Sequence, residues 1–149
     1  VLTGTRAVRG RVVIVGGGLV GCETAAFLMT RNPAVTGVAV LEMLDRLAPT
    51  VSSSVRPFFL GMLNLLGVRL ETRTTVEEVT GQGVRVNRQG VPERIACDAV
   101  VLAAGLRPDP SAIEGFRGTA PEIYPIGDCV RPRTIREAVE EGLAVGLRV

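Results

Sequence analysis

The sequence predicts an α/β protein, a parallel sheet with flanking helices and an antiparallel β-meander, and three observations predict it. Short β-branched runs alternate with helical periodicity in the first seventy residues, a change to brief alternating strands punctuated by glycines follows, and a buried apolar run then returns at Asp98–Ala104.

The first strand is Arg11-Val12-Val13-Ile14-Val15, an apolar run of the kind buried on both faces. A helix over Leu19–Arg31 follows the glycines and stops at Asn32-Pro33. Val38-Ala39-Val40-Leu41 is the second strand. Ser52, Ser53 or Ser54 is expected to cap a helix carrying Phe58, Phe59, Met62, Leu63, Leu65 and Leu66, with Gly67 at its C-terminal end. Val68-Arg69-Leu70 is the third strand. The meander is expected around Thr75–Val79, Val84–Asn87 and Pro92–Ile95. A Pro- and Gly-rich connector, Pro108–Pro121, leads to a short strand at Glu122–Ile126, then Gly127-Asp128, then a helix over Thr134–Leu147.

Composition narrows the chemistry. The 149 residues carry a formal charge of +2, with aromatics at 3% and no Trp, which speaks against a nucleic-acid or membrane surface. His is absent, so Ser-His-Asp and Cys-His catalysis is excluded. Cys22, Cys97 and Cys129 lie far apart without metal-ligand or dithiol spacing. They read as structural thiols in a reduced, cytoplasmic setting. The longest apolar stretch, Val12–Met29, is broken by four glycines and Glu23, so no membrane span is expected. An opening at Val1-Leu2-Thr3-Gly4 without Met reads as a piece of something longer, although loss of an initiator Met would look the same.

Gly16-Gly17-Gly18-Leu19-Val20-Gly21 fits G-x-G-x-x-G in the context that gives the motif weight, after a strand and opening a helix. In a Rossmann-like sheet Gly16 makes the tight turn, Gly18 lets a diphosphate approach, and Gly21 lets the helix lie close to the strand. The helix start supplies free N–H groups and about half a positive charge. Glu42 ends the second strand where a carboxylate accepts from an adenosine ribose, and a charged hydrogen bond of that kind is worth about 1.5–3 kcal/mol. It favours NAD over NADP, whose 2′-phosphate it would repel. Arg46 stands close enough in sequence to pair with such a phosphate. The plain alternatives are an empty glycine turn, a solvated Glu42 and a solvated Arg46.

The runs Val12–Ala25, Leu41-Glu42-Met43-Leu44 and above all Tyr124-Pro125-Ile126-Gly127-Asp128-Cys129-Val130-Arg131-Pro132-Arg133 resemble the C-terminal part of the NADH:flavin oxidoreductase group, which holds 2,4-dienoyl-CoA reductases, 2-enoate reductases and trimethylamine dehydrogenase, with a pyridine nucleotide-disulfide oxidoreductase-like fold. The resemblance implies a nicotinamide-dinucleotide domain over residues 1–120 and a remnant of an FAD-binding domain over 121–149. It implies that Gly16, Gly17, Gly18, Leu19, Val20, Gly21, Glu42, Met43 and Arg46 face the adenosine half, that Ala104 and Gly105 lie near the nicotinamide, and that Asp128 touches the ribityl part of FAD in a full-length parent. A helix-capping turn is the other reading of Asp128. The second glycine fingerprint, the FMN and iron–sulfur barrel and a redox Cys pair are absent from the sequence, so the expected partners are a dinucleotide, the missing flavin and barrel domains and, through apolar residues of the C-terminal segment, a second copy. No catalytic acid, base, nucleophile or metal ligand is expected. The implied function is NADH binding for hydride transfer to a flavin. A non-catalytic ADP- or AMP-binding module is the alternative.

Overall fold

Val12, Val13 and Ile14 are almost completely buried, and their alternation explains the layering of the molecule. They belong to β1 (Gly10–Val15), one of two inner strands of the parallel sheet in a computed structural model that describes residues 7–149. β1 is followed by α1 (Leu19–Arg31), β2 (Val35–Leu41), α2 (Arg56–Leu65) and β3 (Arg69–Glu71). Three antiparallel strands come next, β4 (Thr74–Thr80), β5 (Gly83–Arg88) and β6 (Val91–Ala96), and then β7 (Ala99–Leu102).

β1, β2, β3 and β7 form one parallel sheet in the order β3-β2-β1-β7, while β4-β5-β6 form the meander. Side chains of successive strand residues point to opposite faces. Val12, Ile14, Val38 and Val40 therefore meet Cys22, Ala25 and Leu28 of α1 and Leu63 of α2 on one side. Val13 and Leu41 meet Val84 and Val86 of β5 on the other. The meander thus covers the face that a helix would cover in a doubly wound sheet. Gln89 and Gly90, both at positive φ (52° and 91°), make the two-residue turn between β5 and β6, whose twist suits a hairpin.

Several local expectations need correction. β2 begins at Val35, which pairs with Gly10; the register then skips Thr36 and resumes with Gly37 opposite Arg11, so the strand reaches past residues that interrupt the apolar run. No serine caps α2: its N-cap is Val55, without a side-chain bond, and Ser52 and Ser54 bond each other instead. Gly67 does take positive φ (77°) after α2.

Packing divides the chain after Gly105, into a unit that ends there and a second unit, Leu106–Val149. In the second unit the connector folds together with the C-terminal segment. Its α3 (Pro110–Glu114) is capped by Asp109, which accepts from the Ser111 N–H (3.0 Å). A concavity of about 460 Å³ is lined by Ile113 and Arg117 from the connector together with Ile123 and Pro125. The short strand at Glu122–Ile126 is not formed; the segment has no strand partner among the described residues. Gly127–Cys129 makes a 3-10 turn, and α4 (Ile135–Gly146) follows, with the Glu137 carboxylate accepting from the Thr134 N–H (3.1 Å). No helix among the described residues is long and apolar enough to cross a membrane.

Candidate functional site

The glycine turn joins β1 to α1. Gly16 continues the ladder through its N–H to the Leu41 carbonyl (2.9 Å) and then turns at φ 110°, where a Cβ would run into the Ala103 carbonyl. At Gly21 a Cβ would run into the Gly16 carbonyl, so the lack of a side chain there sets how closely α1 lies on the strand end. Gly18 is the N-cap of α1, in extended conformation, and a Cβ on it would meet nothing within 4 Å. No side chain caps α1 and no acidic residue stands in its first turn, so the amides there await an acceptor. Leu19 and Val20 are exposed beside them. The arrangement is an open, positively polarised cradle with room for an anion.

Glu42 closes one side. Its backbone is held by β3 and the start of β4: the Glu42 N–H donates to the Glu71 carbonyl (2.8 Å), and the Thr74 N–H donates to the Glu42 carbonyl (2.9 Å). Its half-buried carboxylate accepts from the Gly17 N–H (2.7 Å) and the Leu44 N–H (2.8 Å). Met43 and Arg46 are exposed on the loop beyond. That loop returns through buried Leu47 and Ala48, and the Ala48 N–H donates to the Gly17 carbonyl (2.7 Å). The Cys22 thiol, 3.5 Å from the same carbonyl, is pushed up to about 11 by burial, with the Glu42 charge adding to the effect. It therefore stays protonated at neutral pH and packs rather than reacts.

β7 closes the other side. Its pairing with β1 reverses the direction in which the sheet grows, and such a switch point leaves a crevice beyond the carboxyl ends of the strands. Ala103 and Ala104 lie against Gly16 there, and Gly105 follows at φ 87° with open space where a side chain would stand. The structure therefore gathers Gly16, Gly17, Gly18, Glu42 and Ala104 at one end of the sheet. Asp128 belongs to the second unit and serves the turn before α4: its carboxylate accepts from the Arg133 N–H (3.1 Å), while the Gly127 N–H donates to the Glu141 carboxylate (2.6 Å). Leu47 and Ala48 are the site residues that sequence reasoning missed. Ala48 carries no composition signal for its left-handed conformation (φ 44°).

The sequence pattern of the pyridine nucleotide-disulphide oxidoreductase family matches residues 3–142. The bilirubin reductase of Mediterraneibacter gnavus is 37% identical over 134 residues, which cover 89% of this chain and 20% of that protein. The NADH oxidase of Thermoanaerobacter brockii is 31% identical over 140 residues, 93% of this chain and 21% of the relative. A 2-naphthoyl-CoA reductase, solved in complex with 2-naphthoyl-CoA, superposes over 99% of this chain and 22% of its own with a TM-score of 0.83 at 27% identity. The chain spans about one fifth of the length of these proteins. With a family pattern that runs through both units, this chain belongs to the pyridine nucleotide-disulphide oxidoreductase family.

Proposed function

We propose that the chain binds NADH and presents its nicotinamide for hydride transfer to a flavin, as the nucleotide-binding part of a longer oxidoreductase of the NADH:flavin oxidoreductase group. The observation that carries this reading is the open space at Gly18, beside uncapped helix amides and the Glu42 carboxylate. The amides of Gly18, Leu19, Val20 and Gly21 would hold the diphosphate, and the free lone pairs of Glu42 would accept from the adenosine ribose. Ala104 and Gly105 would lie along the nicotinamide half. NADH supplies the hydride when bound, and these residues supply position and electrostatics. The family name and that of the NADH oxidase support a pyridine nucleotide. Glu42 supports NAD over NADP.

FAD is proposed for the longer parent, where Asp128 would face its ribityl chain. The sequence carries a single glycine fingerprint, and the one or two hydrogen bonds that Asp128 can offer do not offset the cost of association, so the chain by itself is not proposed to hold FAD. A second reading, an ADP- or AMP-binding module, is favoured by the fact that the best-defined features all address the adenosine diphosphate half. Calorimetric titration of the purified chain separates the two. NADH bound well above ADP supports the nicotinamide reading, and equal affinities support the second.

A further inference from the structure

Three consecutive glycines form a poor binding loop unless something fixes them, because glycine loses more conformational freedom on ordering than any other residue. In this chain the fixing group is the segment after β2. The Gly17 peptide is gripped from both sides: its N–H donates to the Glu42 carboxylate (2.7 Å), and its carbonyl accepts from the Ala48 N–H (2.7 Å). The Leu47 side chain and the Glu42 Cβ fill the space where a Gly17 side chain would stand. The grip is itself anchored. Glu42 is held at its N–H, its carbonyl and, through the Leu44 N–H, its second carboxylate oxygen. Ala48 is fully buried at φ 44°, an uncommon conformation for a residue with a side chain, and it persists where the surroundings enforce it.

Resting on the nucleotide-binding reading, we propose that Glu42–Ala48 is a positioning clasp for the glycine turn, with Glu42 acting through Gly17 as well as on the ribose. Gly17 is then a scaffold residue whose N–H is not offered to the ligand. Its fixed peptide plane aims the following amides at the diphosphate before any ligand arrives, which lowers the ordering cost of binding. A carboxylate that served the ribose alone would matter only to nucleotides with ribose hydroxyls. A clasp matters to every diphosphate ligand.

The test is a titration of the full chain and its variants with ADP and with 2′,3′-dideoxy-ADP, which has no ribose hydroxyls. Glu42→Ala should weaken dideoxy-ADP about ten-fold, the scale of one charge-assisted hydrogen bond. Glu42→Gln, whose amide oxygen can still accept from Gly17, should restore most of that loss. In the free protein, amide exchange at Gly17 should be slow in wild type and Glu42→Gln and about ten-fold faster in Glu42→Ala. If Glu42→Ala does not fold, Glu42→Asp, one methylene too short for Gly17 but still charged, should show the same weakening. Dideoxy-ADP binding that is indifferent to Glu42→Ala or Glu42→Asp, or rapid Gly17 exchange in wild type, would overturn the clasp. Wild-type protein that binds neither nucleotide would overturn the nucleotide-binding reading, a failure visible before any variant is made.

Discussion

A Cβ at Gly21 would run into the Gly16 carbonyl, whereas one at Gly18 would meet open space, so similar substitutions three residues apart should have opposite effects. Gly18→Val should leave the thermal transition within a few degrees of wild type and weaken NADH at least about ten-fold, because its branches occupy the cradle rather than the core. Undiminished NADH affinity in a folded Gly18→Val protein would place the ligand elsewhere. Gly21→Val should instead lower stability by about 1–3 kcal/mol in urea, since α1 must lift from the strand end. Cys22 makes a pH prediction. Its thiol, raised from 9.0 to about 11, holds its proton more tightly in the folded chain than in the unfolded one. That contribution is complete below pH 9 and is lost as pH rises to about 11, a fall of about 2–3 kcal/mol that Cys22→Ala should abolish in a urea series across that range. The places of Gly16, Gly18 and Gly21 in the turn between β1 and α1 were legible in the sequence because spacing and context point to a single turn. The grip of Leu47 and Ala48 on Gly17 was not, because nothing in an Ala-Pro pair announces a left-handed residue folded back over a turn about thirty positions earlier.

Among the elements, α1 was legible to the residue: glycines open it and Asn32-Pro33 closes it, and both signals are local. α2 kept its periodicity but not its cap, since Ser52 and Ser54 satisfy each other and leave Val55 to start the helix. α3 was hidden because five residues are too few to show a period, although Asp109-Pro110 is a recognisable start. Glu122–Ile126 looks like a strand but needs a neighbour to become one, and sequence patterns cannot supply it. Burial then separates substitutions on helices of similar appearance. Leu28→Ala, beneath α1 at 0% exposure, should cost about 2–5 kcal/mol in urea denaturation. Phe58→Ser, 81% exposed on α2, should change stability by less than about 0.5 kcal/mol. A large loss from Phe58→Ser would mean that α2 is covered in solution.

On the scale of the whole molecule, the layers of the first unit derive from strict alternation in β1 and β2, with even-numbered valines and isoleucine under the helices and odd-numbered residues under the meander. That pattern is why the fold class could be read early, whereas the division after Gly105 depends on packing that the connector's composition does not display. Within the first unit the glycine turn, Glu42 and Ala104 meet beyond the carboxyl ends of the parallel strands. Purified protein should be colourless, because the sequence has one glycine fingerprint and Asp128 alone offers too few hydrogen bonds to retain FAD. Stoichiometric yellow flavin after purification would refute that expectation. Dinucleotide binding at the glycine turn is best tested by calorimetric titration of the full chain with NADH and NADPH under identical conditions. One NADH per chain is predicted, bound more tightly than NADPH, with the ratio narrowed by Glu42→Ala; absence of binding, or NADPH bound as tightly as NADH, would contradict the assignment of this site.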